Sequence, residues 1–253
     1  MIKYLQLVMF FIVLLFICPN FNAYSQKTVN THYQNWTQYF INVRIKEYWS
    51  VNSDVLYRWK DLDGQKLQTG IRGSITYHFK KPITLTAGYV YFVHFPSTKG
   101  ATVTRHEHRP WQQLLITSKH GRFQLQHRYR FEQRFIEKAS NTMLTGGYGF
   151  NFRLRYQLTL QCPINKKEIE KGTLYALAYN EVFVNFGKEI VYNYFDQNRT
   201  GLGLGYQISK SFAATLGYQY IWQQQSKGNQ YNSISCLRLA FIHSLDLRKK
   251  DKD

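Results

Sequence analysis

Arginine recurs at alternate positions in two stretches of this chain: Arg128, Arg130 and Arg134, with Glu132 among them, and then Arg153 and Arg155. The planar guanidinium fork binds carboxylates and phosphates through paired hydrogen bonds. Such a row can therefore fill and rigidify an interior by pairing with acids, or present a site for small anions or acidic head groups. The filling role needs the fewest assumptions. A second set, His106, Glu107 and His108, contains groups that bind metals or move protons. In a strand its two imidazoles share one face, but zinc takes three or four ligands. A hydrogen-bonded cluster at a rim is the plainer reading, and neither metal nor cofactor is expected. His127 is the remaining candidate base, and none of Ser118, Ser209 and Ser235 is obviously paired with it. A serine hydrolase needs that pairing, so catalysis is not the leading expectation.

The elements that must position these groups are strands. From Arg122 to Phe135, Phe123, Leu125, Tyr129, Phe131 and Phe135 hold one parity, and the arginines, Gln124, Gln126 and Glu132 hold the other. Successive strand side chains point to opposite faces, whereas a helical period would scatter these aromatics around the axis. The design repeats at 150–161, where Phe152, Leu154 and Tyr156 oppose Arg153, Arg155 and Gln157. It recurs at 199–208 and 212–223. The glycines Gly201, Gly203 and Gly205 fall on the polar parity, where a crowded inner wall needs little side chain. Further strands are expected near 37–45, 49–60, 68–79, 83–95, 106–118, 173–186 and 232–247. Tight turns at 80–82, 119–121 and 209–211 alternate with longer polar loops, and 163–172 is a long charged exception on the short side.

Aromatics make up 17% of the 253 residues, yet mean hydropathy is −0.42. Beyond the N-terminus there is no apolar run long enough for a helical span, which needs about 20 residues. At the N-terminus, Lys3, the apolar run Leu5 to Ile17 and the small residues at Ala23 and Ser25 form a secretory signal with cleavage before Gln26. Cys18 follows Ile17 where a lipidated cysteine needs a small neighbour, and Cys162 and Cys236 are too few for a disulfide framework. The expected fold is all-β: a signal peptide at 1–25, then one transmembrane antiparallel up-and-down barrel of 10 to 12 strands at 26–253, in the outer membrane. Bacterial barrels of this kind have even strand numbers, so the eleven legible strands leave a twelfth to be sought in 26–35, or one too many. Trp49, Trp59, Trp111 and Trp222 suit interface girdles. A tail that does not finish on an aromatic residue, Arg248 to Asp253, departs from such barrels.

The run Arg128 to Arg134 (RYRFEQR), Arg153 to Tyr156 (RLRY) with Pro163 after it, Tyr179-Asn180-Glu181 and Asn198-Arg199 resemble the family named domain of unknown function 2490. The resemblance implies a predicted outer-membrane barrel in an exported protein and carries no catalytic residues to transfer.

The net charge of +18 raises nucleic acid as a partner, but period-2 segregation sends rings and guanidiniums to opposite faces, which base stacking would not use. Outer-membrane lipid is the expected partner. A structural or binding barrel with an Arg-rich lumen leads; a narrow anion or small-solute channel, a lipid-modifying enzyme and a soluble lipocalin-like periplasmic barrel are the alternatives. The last would invert the faces.

Overall fold

The computed structural model describes residues 27–61, 64–79, 82–97 and 100–248. The leader 1–25, Lys80 and Lys81 of one expected turn, and the tail after Arg248 lie outside the described residues. Eleven strands follow in chain order: β1 Thr28–Lys46, β2 Trp49–Lys60, β3 Gln65–His78, β4 Ile83–His94, β5 Arg105–His120, β6 Phe123–Ala139, β7 Leu144–Pro163, β8 Leu174–Phe186, β9 Phe195–Gln207, β10 Phe212–Gln224 and β11 Gln230–Asp246. Each pairs with its sequence neighbours, and β1 with β11, to close one barrel.

Closure differs from the expected fully antiparallel arrangement in one place. Consecutive strands are antiparallel, but β1 and β11 run parallel, in register from Thr28–Gln230 to Arg44–Asp246. An up-and-down sheet with an odd strand number brings its first and last strands together in the same direction, so eleven strands can close only this way. Among the described residues no twelfth strand precedes β1, and residues 28–35 are the first half of that long strand.

The alternation fixes the faces. Leu202 on β9 is 62% exposed on the outside, whereas Gln219 on β10 is 1% exposed on the inside. Two aromatic groups flank the outer aliphatic band of Ile71, Leu154, Leu202 and Leu237. Near the short turns Tyr77 packs edge-on against both Trp49 and Phe79 at 4.9 Å. Toward the opposite end Phe135 meets Phe150 at 4.7 Å and Trp222 meets Tyr231 at 5.1 Å. Trp111 departs from the girdle expectation. It shares the inward parity of Glu107 and Arg109 and is only 3% exposed, with its ring over Gly88.

Glycine and aromatic residues interlock on the inner wall. The Tyr175 and Tyr179 rings of β8 occupy the space that a Cβ on Gly205 and Gly201 of β9 would fill. A ring lying on a neighbouring strand's bare backbone fills the interior with few mobile side chains. Gly205→Leu is expected to destabilise the barrel by about 1–3 kcal/mol through overpacking, measured by urea unfolding. Tyr175→Ala in the same chain should restore part of that loss.

The connections 95–104, 140–143, 187–194 and 225–229 lie at the end where β1 starts, together with 61–64; those at the other end are of four residues or fewer, except 164–173. That charged exception is folded back on the barrel. Arg122 Nη2 donates to the carbonyls of Pro163, Ile164 and Lys166 at 2.8–3.0 Å, and Lys119 Nζ reaches Glu168 at 2.5 Å. The lysine holds the exposed Glu168 carboxyl below its ordinary pKa.

Candidate functional site: a buried arginine network below a polar cavity

Inside the wall, six arginines share five carboxylates. Glu107 on β5 accepts from Arg109 at 2.6 Å, from Arg134 on β6 at 2.7 Å and from His94 on β4 at 2.8 Å. Glu132 on β6 accepts from Arg153 at 2.5 Å and Arg155 at 2.6 Å, with Arg109 3.5 Å away. Glu181 on β8 binds Arg155 at 2.7 Å and Arg128 at 2.8 Å, Asp196 on β9 binds Arg153 at 3.0 Å, and Asp54 lies 3.3 Å from Arg72. The linked pairs run across β4 to β9, while Asp54 on β2 and Arg72 on β3 form a separate pair. Each carboxylate that serves two or more arginines ties several strands together where desolvation makes an unpaired charge costly.

The expected charge row is therefore gathered in one place, with one member set apart. Arg128, Arg134, Arg153 and Arg155 are joined through Glu107, Glu132 and Glu181. Among the described residues Arg130 has no carboxylate within 4 Å; its guanidinium donates to Gln113 at 2.6 Å and lies 4.2 Å from the Trp111 ring centroid. Arg109 and Asp196 belong to the network but were not singled out from sequence, and Glu181 was named there only within the family resemblance. Their inward parity is the signal that could have found them.

His106, Glu107 and His108 are split across the wall. Glu107 is fully buried inside. The imidazoles face outward, His106 hydrogen-bonded to Tyr91 at 2.5 Å and His108 to Tyr89. His127 also faces outward, and its Nδ1 meets the Tyr156 hydroxyl at 2.9 Å. Ser235, on the outer face of β11, pairs with Tyr218. Among the described residues no group of three or more His, Cys, Asp or Glu side chains is placed to hold a metal ion.

A cavity of about 750 Å³ occupies the barrel from the long-loop end, where Ser97 and Arg105 at its rim are exposed, down to the level of Leu56, Arg72, Arg128 and Gln157. Nearer the short turns the inward residues do not line it. Asn52 donates to Ser74 and Thr76 at 3.1 and 2.9 Å, Thr76 meets Thr86 at 2.8 Å, and Ser50 meets His78 at 2.7 Å. These hydrogen-bonded, largely buried side chains of β2, β3 and β4 pack against one another below the cavity on that side of the barrel.

No curated protein and no solved structure matches the chain. A family model described as Protein of unknown function (DUF2490) matches residues 33–232, from within β1 into β11. The chain belongs to that family of β-barrel proteins of unknown function.

Proposed function

We propose that this chain is an outer-membrane barrel, exported by a cleaved signal at 1–25, whose ion-paired interior is a structural filling and whose wall has outer-membrane lipid as its partner. One observation carries the proposal: apolar side chains ring the outside of a closed sheet while arginines and carboxylates fill the inside. In water that surface would be a continuous apolar belt far larger than soluble monomers expose, whereas in a bilayer it is the lipid-facing band between aromatic girdles. A soluble lipocalin-like barrel needs the opposite assignment of faces. By the usual asymmetry of loop lengths the short turns face the periplasm and the cavity opens outward. The cavity lining reaches no further than the level of Leu56, Arg72, Arg128 and Gln157, short of the short-turn end, which favours a closed barrel over a channel. The pairing of His127 with a tyrosine rather than a serine favours a non-catalytic wall.

Fractionation of cells expressing the chain tests the location. The protein is expected in the outer-membrane fraction, with gel migration that changes between unheated and boiled samples, and with no unitary conductance in planar bilayers. A soluble periplasmic protein would overturn the placement, and steady single-channel currents would replace the filled scaffold with a channel.

A further inference from the structure

We propose that the cavity holds a binding site for a phosphoryl group, built by Arg58, Arg199 and Arg238 around the indole of Trp36. This site is separate from the ion-paired network. It depends on the closed barrel and would survive even if the barrel proved not to lie in a membrane.

The register builds the cluster. Trp36 on β1 is the pairing partner of Arg58 on β2 to one side and of Arg238 on β11 to the other. The Arg58 guanidinium lies 3.8 Å from the indole centroid, and Arg199, reaching in from β9, lies 4.9 Å from it. All four side chains line the cavity. The Trp36 Nε1 donates to Gln34 at 2.8 Å, which fixes the ring.

Like Arg130, these three arginines lack the carboxylate partner that the six ion-paired arginines have. None has a carboxylate within 4 Å among the described residues. Each is held instead by a neutral amide oxygen: Arg58 by Gln68 at 2.7 Å, Arg199 by Gln197 at 3.0 Å and Arg238 by Gln38 at 3.0 Å. The nearest acids are already engaged. Glu181, the register partner of Arg199, is bound by Arg128 and Arg155. Asp54 lies beside Arg72 and accepts from the same Gln38 side chain that steadies Arg238.

Neutral acceptors orient a guanidinium without cancelling its charge. Each fork carries five N–H donors, so most of them remain to face the cavity. Partly buried positive charges brought together this way repel one another, and an anion relieves that cost. A carboxylate offers two acceptor oxygens, whereas a phosphoryl group offers three that carry more negative charge. Three forks converging from β2, β9 and β11 suit a tetrahedral oxyanion with several acceptor oxygens. The closed wall shuts out a lipid entering sideways, so the phosphoryl group arrives through the long-loop end on a soluble molecule.

Calorimetric titration of the full chain, folded in a non-ionic detergent, with inorganic phosphate and with glycerol 3-phosphate tests the site. Saturable binding of at least one is expected. Kd should rise by about tenfold or more, some 1.4 kcal/mol, in Arg58→Gln/Arg238→Gln. It should hold in Arg130→Gln, which removes an arginine that also lacks a carboxylate but stacks on Trp111. Unchanged heat-dependent gel migration certifies that each variant is folded. Tighter binding of the monoester would identify an organic phosphate, and equal binding free phosphate; both support the site. No saturable binding of either ligand to the folded wild type, or undiminished binding by the double variant, would overturn it. The fractionation result bears on neither outcome.

Discussion

Glu132→Gln is expected to lower the unfolding free energy of the barrel by about 3–5 kcal/mol, the range for removing one partner of a buried ion pair. The carboxylate is 1% exposed and is the shared acceptor for Arg153 and Arg155, with Arg109 close by. Glutamine keeps the shape but offers one acceptor oxygen in place of two, turns an amide N–H toward guanidinium groups, and leaves the arginines short of a counter-charge. The exposed pair Lys138–Glu189, 3.0 Å apart, provides the comparison. Lys138→Gln should cost no more than about 1 kcal/mol. Urea unfolding in lipid vesicles measures both. Equal losses in the two variants would mean that the interior charges are not what holds β5, β6 and β7 together.

Leu202→Arg is expected to destabilise the chain by about 2–4 kcal/mol in a bilayer, as lipid-facing arginine does near the midplane. Leu202 lies in the middle of β9 and is among the most exposed apolar side chains on the outer wall. The substitution removes no interior contact, so its cost is that of placing a charge in hydrocarbon. In water an arginine at so exposed a site would cost almost nothing. Folding into vesicles at increasing urea gives the number, and a value near zero would contradict a lipid-facing wall.

How much of this was legible in the sequence follows from the range of the interactions. β6 and β7 could be read residue by residue, because rings and arginines alternate without interruption and the alternation is itself the fold. The start of β1 could not. Thr28 to Asn35 carries polar residues on both parities, and what makes it a strand is its pairing with β11, some two hundred residues away in sequence. The parity of Trp111 was visible beside Glu107 and Arg109, but its indole chemistry pointed to a girdle. Its inward place depends on Gly88 across the sheet. Likewise the arginine row was legible as a row, while the choice of partners was not. Arg128 reaches over β7 to Glu181, and Arg153 reaches over β8 to Asp196. Those pairings depend on barrel curvature, which no local pattern encodes. For the same reason the cluster around Trp36 gave no signal, since its arginines come from three separate strands. The odd strand number was countable, but its consequence, a parallel seam, ran against the even-numbered rule.

The most direct test of the claim that the apolar face meets lipid and the arginine face lines the interior is fluorophore labelling of single cysteines, in a chain with Cys162 and Cys236 replaced by alanine. Labels at Leu202→Cys and Leu237→Cys should be quenched by nitroxide-bearing lipid acyl chains and spared by aqueous iodide. Labels at the cavity-lining Gln223→Cys and Asn232→Cys should show the reverse. Iodide quenching at positions 202 and 237, with no effect of the lipid quencher, would mean that the outer wall faces water and that the chain is not a membrane barrel.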